Sequence, residues 1–278
     1  MTGRTRLLLL LPLAMLLVRP GDAAERPVRV ASLNLCTDEL LVALAEPGEI
    51  ASLSPLARDA DLSTVAEAAA ALPDNHASAE EILREGVDLV LAETSAANAT
   101  IQLLRRVGVR VETIETVDRL AGIAPAVERV ASWLGRSARG EVLLQRMQAR
   151  LAAVPRPAGP PPRAIFYESA GWSDGPGTLK DDVMRAAGLV NHAEALGIVG
   201  YRPLALERVV ADPPDLLITE AYRPGEVSLA ERWADHPALR VIPHRVELPT
   251  RLLICGTPAI ADAVALLAGL GSPMVAAR

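Results

Sequence analysis

The sequence predicts an α/β protein built as two sheet-based lobes, and three observations carry that expectation. Short β-branched or apolar runs alternate with helical patterns, as in a parallel sheet covered by helices. A long helical stretch near the middle of the 278-residue chain ends in a cluster of prolines at positions 155, 157, 160, 161 and 162. A helix-to-strand unit then occurs once in each half.

In the first half, residues 28–33 read as a strand, 37–45 as a helix and 50–53 as a second strand. A helix near 79–84, a strand at 89–92, a helix near 97–106 and a strand at 109–113 follow. From 125 to 154 the pattern is helical, softened at Gly135, with Val142, Leu143, Met147 and Leu151 at helical spacing. Proline cannot continue the backbone hydrogen-bond ladder, so the cluster ends this helix and marks a boundary. Beyond it lie a strand at 163–167, a helix at 179–187, a short helix at 205–210 and a strand at 216–219. A helix near 228–234, an extended segment at 241–248 and an amphipathic helix at 258–270 close the chain.

The repeated unit is specific. SAEEILREGVDLVLAE begins at Ser78 and ALERVVADPPDLLITE at Ala205, and without a gap they match Glu80 with Glu207, Asp88 with Asp215, Leu89 with Leu216 and Glu93 with Glu220. Each describes a short amphipathic helix, a turn and a buried strand.

Composition narrows the function. Arg4 and Arg6, an apolar run over 7–18 and a small-residue site ending at Ala23 describe a cleaved secretory signal peptide over 1–23, which puts the mature protein in a bacterial periplasm. The formal charge of −6 opposes nucleic-acid binding, whose phosphate backbone demands a basic surface. Four histidines, dispersed at 76, 192, 236 and 244, do not suggest a metal cage, and neither a resident metal nor a cofactor is expected. Cys36 and Cys255 are compatible with a disulfide, with soft sulfur near a ligand, or with two unrelated buried thiols.

Ligands of open parallel sheets bind beyond the carboxyl ends of the strands. Those positions hold Asn34, Cys36, Leu56 and Arg58 in the first half, and Trp172, Tyr222, Arg223 and Arg251 in the second. The loop ESAGWSDGPG, with three glycines, reads as an irregular turn that offers the Trp172 ring as a pocket wall, while Thr178 starts a helix aimed at the same place. The arginines suit carboxylate or phosphate groups, and His76 could donate to or ligate a cargo. Catalysis by Cys36 in a secreted hydrolase or redox enzyme, or capture of a bare metal ion, are the alternatives to a binding role. No phosphate loop, zinc-protease motif or serine elbow is present.

RVASLNLCTDELLVALAEPGEIASLS, EEILREGVDLVLAE, GTLKDDVMRAAGLVN and LERVVADPPDLLI together resemble the iron-chelate and cobalamin class of periplasmic binding proteins, over nearly the whole mature chain. The resemblance implies two Rossmann-like lobes joined by a single long α-helix, with the ligand cleft between the lobes. On that pattern 24–136 is the first lobe, 137–162 the connecting helix and Pro-rich linker, and 163–278 the second lobe. It also implies a monomeric receptor that hands a ferric siderophore or cobalamin-type corrinoid to an ABC importer's permease dimer, with Glu80 and Glu207 as the docking residues. Similarity to cobalamin-binding members puts Trp172 and Tyr201 where those proteins set aromatics against the corrinoid. The chain departs from them at Asp74, Pro55 and Leu56, where aromatics are replaced. It departs from haem-binding members in having no tyrosine before Tyr167.

Overall fold

The computed structural model describes residues 27, 29–96, 98–156, 159–221, 233 and 236–276. The expected signal peptide, Tyr222, Arg223 and the helix near 228–234 lie outside them. The described residues form two four-stranded, all-parallel sheets and one two-stranded antiparallel ribbon.

The first sheet takes β1 (Val30–Ser32), β2 (Ile50–Ser52), β3 (Leu89–Glu93) and β4 (Val111–Ile114) in the order β2-β1-β3-β4. Its central strands are apolar on both faces, because helices cover both sides. One face carries α1 (Leu35–Leu44) and α5 (Leu120–Trp133); the other carries α3 (Ala79–Glu85) and α4 (Asn98–Arg106), after the one-turn α2 (Ala66–Ala69). Strand ends are shorter than the sequence suggests: the expected strand 28–33 pairs only over three residues, and the expected 109–113 begins at Val111.

The helical stretch in mid-chain is two helices, α5 and α6 (Ser137–Ala152), parted where Gly135 adopts φ 65°. Beyond the prolines come β5 (Arg163–Phe166), β6 (Trp172–Asp174), α7 (Leu179–Ala186), β7 (Val190–Asn191), α8 (His192–Ala195), β8 (Tyr201–Pro203), α9 (Leu206–Ala211), β9 (Leu216–Ala221), β10 (His244–Pro249) and α10 (Ile260–Ala276). The second sheet runs β10-β9-β5-β7. The expected extended segment 241–248 is strand β10 from His244 onward; only Val241 falls in the preceding 3-10 turn, Pro237–Val241, in which the His236 ring accepts from the Ala238 amide.

The repeat is structural. Asp88 accepts from the Arg29 amide at 2.9 Å and donates its own amide to the Arg29 carbonyl at 2.8 Å. Asp215 does the same with Arg163, both at 2.8 Å. In each lobe a carboxylate at the entrance of the central strand thus clamps the start of the neighbouring strand. The match of Asp88 with Asp215 is a register device, since a one-residue slip would move every side chain to the opposite face of the sheet, against the wrong helix layer.

A single apolar cluster runs through both lobes. It contains Val30, Leu89 and Leu91 of the first sheet, Ala164, Phe166 and Ile218 of the second, and residues of α1, α5, α6, α7 and α10. Leu144 and Met147 of α6 are buried in it, and Arg150 of α6 pairs with Asp262 of α10 at 2.6 Å. Polar contacts reinforce the seam. Arg119 grips Asp182 through two bonds of 2.9 and 3.1 Å, and Asp182 also accepts from the Leu120 amide. Thr257 donates to the buried Glu39 at 2.8 Å. A Cβ on Gly256 would come within 2.4 Å of the Val117 side chain, so the two backbones meet at a distance only glycine permits. Cys36 and Cys255 form a disulfide with their Cα atoms 5.2 Å apart. The contacts of Arg119 with Asp182, Glu39 with Thr257, Val117 with Gly256 and Cys36 with Cys255 join segments that follow strand C-termini, so the two sheets present the same ends to each other.

The disulfide closes a separation of 219 residues, a loop for which chain entropy yields about 5 kcal/mol. Alkylation under denaturing, non-reducing conditions is therefore expected to find no free thiol. The Cys36→Ser/Cys255→Ser double variant is expected to lose about 2–5 kcal/mol in urea unfolding.

Candidate functional site

In the second lobe the chain leaves β5 and turns through Ala170 and Gly171, both left-handed at φ 57° and 78°. This reversal delivers Trp172 into β6, antiparallel to β8, with Trp172 opposite Pro203 and Asp174 opposite Tyr201. The irregular loop expected around Trp172 is therefore a tight turn followed by a short ribbon. Tight pairing also requires Gly175, whose Cβ would strike the Ile198 carbonyl at 2.4 Å. Across the ribbon the rings of Trp172 and Tyr201 lie diagonal to each other, centroids 4.7 Å apart and planes tilted by 30°. Tyr201 keeps 48% of its surface exposed and Trp172 is half-buried, so the pair presents an aromatic wall.

Beneath that wall lies a buried ionic cluster. Lys180, in the first turn of α7, contacts Glu168 and Glu220, with Asp174 at 3.6 Å, and stands 5.5 Å over the Phe166 ring. Thr178 caps the helix by accepting from the Asp181 amide, as its position suggests. Tyr201 donates to Glu168 at 3.0 Å, linking the wall to the cluster. Burial pushes Asp174 up to about 7, and the neighbouring Glu168 carboxylate pushes the same way. Burial also raises Glu220. Glu168 opposes its own burial and is held low, chiefly by the Lys180 charge. Lys180 is raised against its burial by Glu220, Glu168 and Asp174, and stays cationic. Three carboxylates thus share one ammonium.

The first lobe answers with a carboxylate at the matching position. Glu93 ends β3 as Glu220 lies near the end of β9, and burial raises it. Asn34 holds it: the amide nitrogen donates to Glu93 at 2.8 Å, while the amide oxygen accepts from the Glu93 backbone and from Thr37. Asn34 thus fixes the orientation of Glu93 at the strand end. Arg58 is committed likewise, to Asp74 at 3.0 Å and to the Ala69 and Leu72 carbonyls. Leu56 is exposed. His76 is largely exposed and faces Glu81 at 3.4 Å. Cys36 is half-buried in the disulfide beside Leu35 and Leu62, so it holds no thiolate for the alternative of Cys36 catalysis. Arg251 stands at a separate cavity behind α1. Glu80 and Glu207 are both exposed in the first turns of α3 and α9. Glu168, Asp174 and Lys180 escape sequence reasoning because three segments bring them together. Glu93 and Glu220 had a signal in the repeat.

Two lobes of parallel sheet, sealed behind and facing each other with strand-end side chains, make the architecture of a solute receptor. The sequence pattern of the periplasmic binding protein family matches residues 30–242, and the chain belongs to that family. A cobalamin-binding protein of Halobacterium salinarum is 23% identical over 200 residues, 70% of this chain and 54% of the relative, so the chain spans about half the length of the curated relatives it matches. The periplasmic heme-binding protein RhuT from Roseiflexus sp. RS-1, in apo form, superposes with a TM-score of 0.71 at 25% identity, covering 89% of this chain and 98% of that one. The vitamin B12 binding protein BtuF of Vibrio cholerae gives 0.61 at 19% identity, over 88% and 98%.

Raised carboxylates destabilise the fold as pH climbs from their unfolded value towards their folded one. For Asp174 that window runs from about 4 to about 7. The melting temperature is expected to fall as pH rises across it. Asp174→Asn should flatten that dependence; an unchanged slope in a calorimetric pH series would contradict the assignment.

Proposed function

We propose that the protein is the exported receptor of an ABC importer and that its cargo is a cobalamin-type corrinoid. The observation that carries this reading is the Trp172–Tyr201 wall mounted on a cluster with more carboxylates than cations. An aromatic face suits a broad, flat ligand at small entropic cost. A corrin ring carries peripheral amides whose N–H groups match carboxylate acceptors. Haem carries two propionates, which an acidic strand end repels. The first lobe supplies no tyrosine for a haem iron, and Tyr201 is a poor ligand because burial and the Glu168 charge raise it. Corrinoid cobalt needs no protein ligand when it retains its own lower axial base. Ferric siderophores remain the second cargo class, favoured if the complex is cationic.

Leader, lobe boundaries and permease docking form part of the same reading: cleavage after Ala23, α6 as the connector, and Glu80 and Glu207 as the paired contacts. The support for docking is geometric. The two carboxylates occupy equivalent turns of equivalent helices in a pseudo-symmetric receptor, which suits a dimeric permease.

Tryptophan-fluorescence titration with cyanocobalamin, hemin and ferrioxamine B tests the cargo. Cyanocobalamin is expected to bind best, and Trp172→Ala to weaken it by about 30-fold, as for a buried aromatic anchor. Tighter binding of hemin would refute the assignment. For docking, Glu80→Arg/Glu207→Arg is expected to abolish receptor-stimulated ATPase activity of the reconstituted importer while cargo affinity stays unchanged.

A further inference from the structure

Behind the seam lies a cavity of about 510 Å³, within the range of small-molecule sites. Two helical stripes wall it. From α1 come Glu39, Leu40 and Ala43; from α6 come Leu143, Arg146, Met147 and Arg150, spaced as i, i+3, i+4 and i+7. The 3-10 turn Thr250–Leu252 adds Arg251 and Leu252, and the start of α10 adds Asp262. Cys36, one turn before Glu39 and Leu40 on α1, is held by the disulfide to Cys255 and is not part of the lining.

The charges are unevenly satisfied. Both oxygens of Glu39 are engaged, one by the Thr64 amide at 2.9 Å and the other by Thr257 at 2.8 Å, and the side chain is buried in the seam. Asp262 is taken by Arg150 at 2.6 Å. Arg146 and Arg251, from different elements, have no carboxylate partner among the described residues. A chamber whose apolar wall is Leu40, Ala43, Val65, Leu143, Met147 and Leu252, with two guanidinium groups that have no carboxylate partner and a third nearby, has the chemistry to hold an anion by N–H donors while covering its apolar body.

We propose that this cavity is a second binding site, for a small organic anion with an apolar body. Its walls come from α1 of the first lobe, from α6, and from the 251–262 segment of the second lobe. An occupant therefore bridges the seam and stabilises the arrangement of the lobes that it binds, by linkage.

The probe is 8-anilinonaphthalene-1-sulfonate, an apolar bicycle with one anionic group, followed by its fluorescence on the intact protein. One saturable site is expected. Arg146→Gln/Arg251→Gln, which removes two charge-assisted contacts, should weaken it about 100-fold or more. Ala43→Trp, which fills the chamber and leaves the arginines in place, should abolish it. Trp172→Ala/Tyr201→Ala should leave it intact. Absence of saturable binding overturns the proposal, as does a smaller loss in the arginine pair, survival in Ala43→Trp, or disappearance in the aromatic pair. Circular dichroism verifies that each variant is folded, and the exposed arginine pair decides the matter if the tryptophan variant is not.

Discussion

The structure depends on one constraint: two parallel sheets bring their strand C-termini together and share a single apolar core behind the meeting line. Parallel sheets have to be covered on both faces. Here α1, α5, α6, α7 and α10 provide one continuous cover for both lobes, while separate clusters serve the outer faces. The lobes are therefore not beads on a linker. Arg119 with Asp182, Glu39 with Thr257 and Cys36 with Cys255 hold the seam at three further places. Such a seam fixes the strand-end side chains relative to one another before any cargo arrives, which reduces the ordering that binding must impose.

The site shows what a buried ionic cluster does for an exposed one. Trp172 and Tyr201 are half-exposed residues on a ribbon of three-residue strands, a structure too small to be stable alone. Its rigidity comes from below. Tyr201 is tied to Glu168, Glu168 to Lys180, and Lys180 to the far strand through Glu220. Removing one partner would leave charge buried without compensation, which is far more costly than the intact network.

Much of the fold was legible in the sequence. The core strands announce themselves as apolar runs, and the Asp88 and Asp215 units point to matched lobes because local patterning and tertiary register agree there. The β6–β8 ribbon was not legible. It depends on Ala170, a non-glycine residue in the left-handed region, where sequence favours glycine or asparagine. Site residues divide similarly. Trp172 is singled out by residue type and loop position and Tyr201 only by the family resemblance, whereas the partners that engage Asn34 and Arg58 are 59 and 16 residues away and leave no local trace. The cysteines, 219 residues apart, could not be paired from spacing alone.

The reciprocal bonds of Asp88 with Arg29 and of Asp215 with Arg163 reach beyond register. Each anchors a short surface helix, through the turn that follows it, to the innermost strand of its own sheet. The seam that fixes one sheet against the other therefore also fixes the spacing between α3 and α9. The two helices thus form one rigid frame, held from behind by the strands rather than by contact with each other.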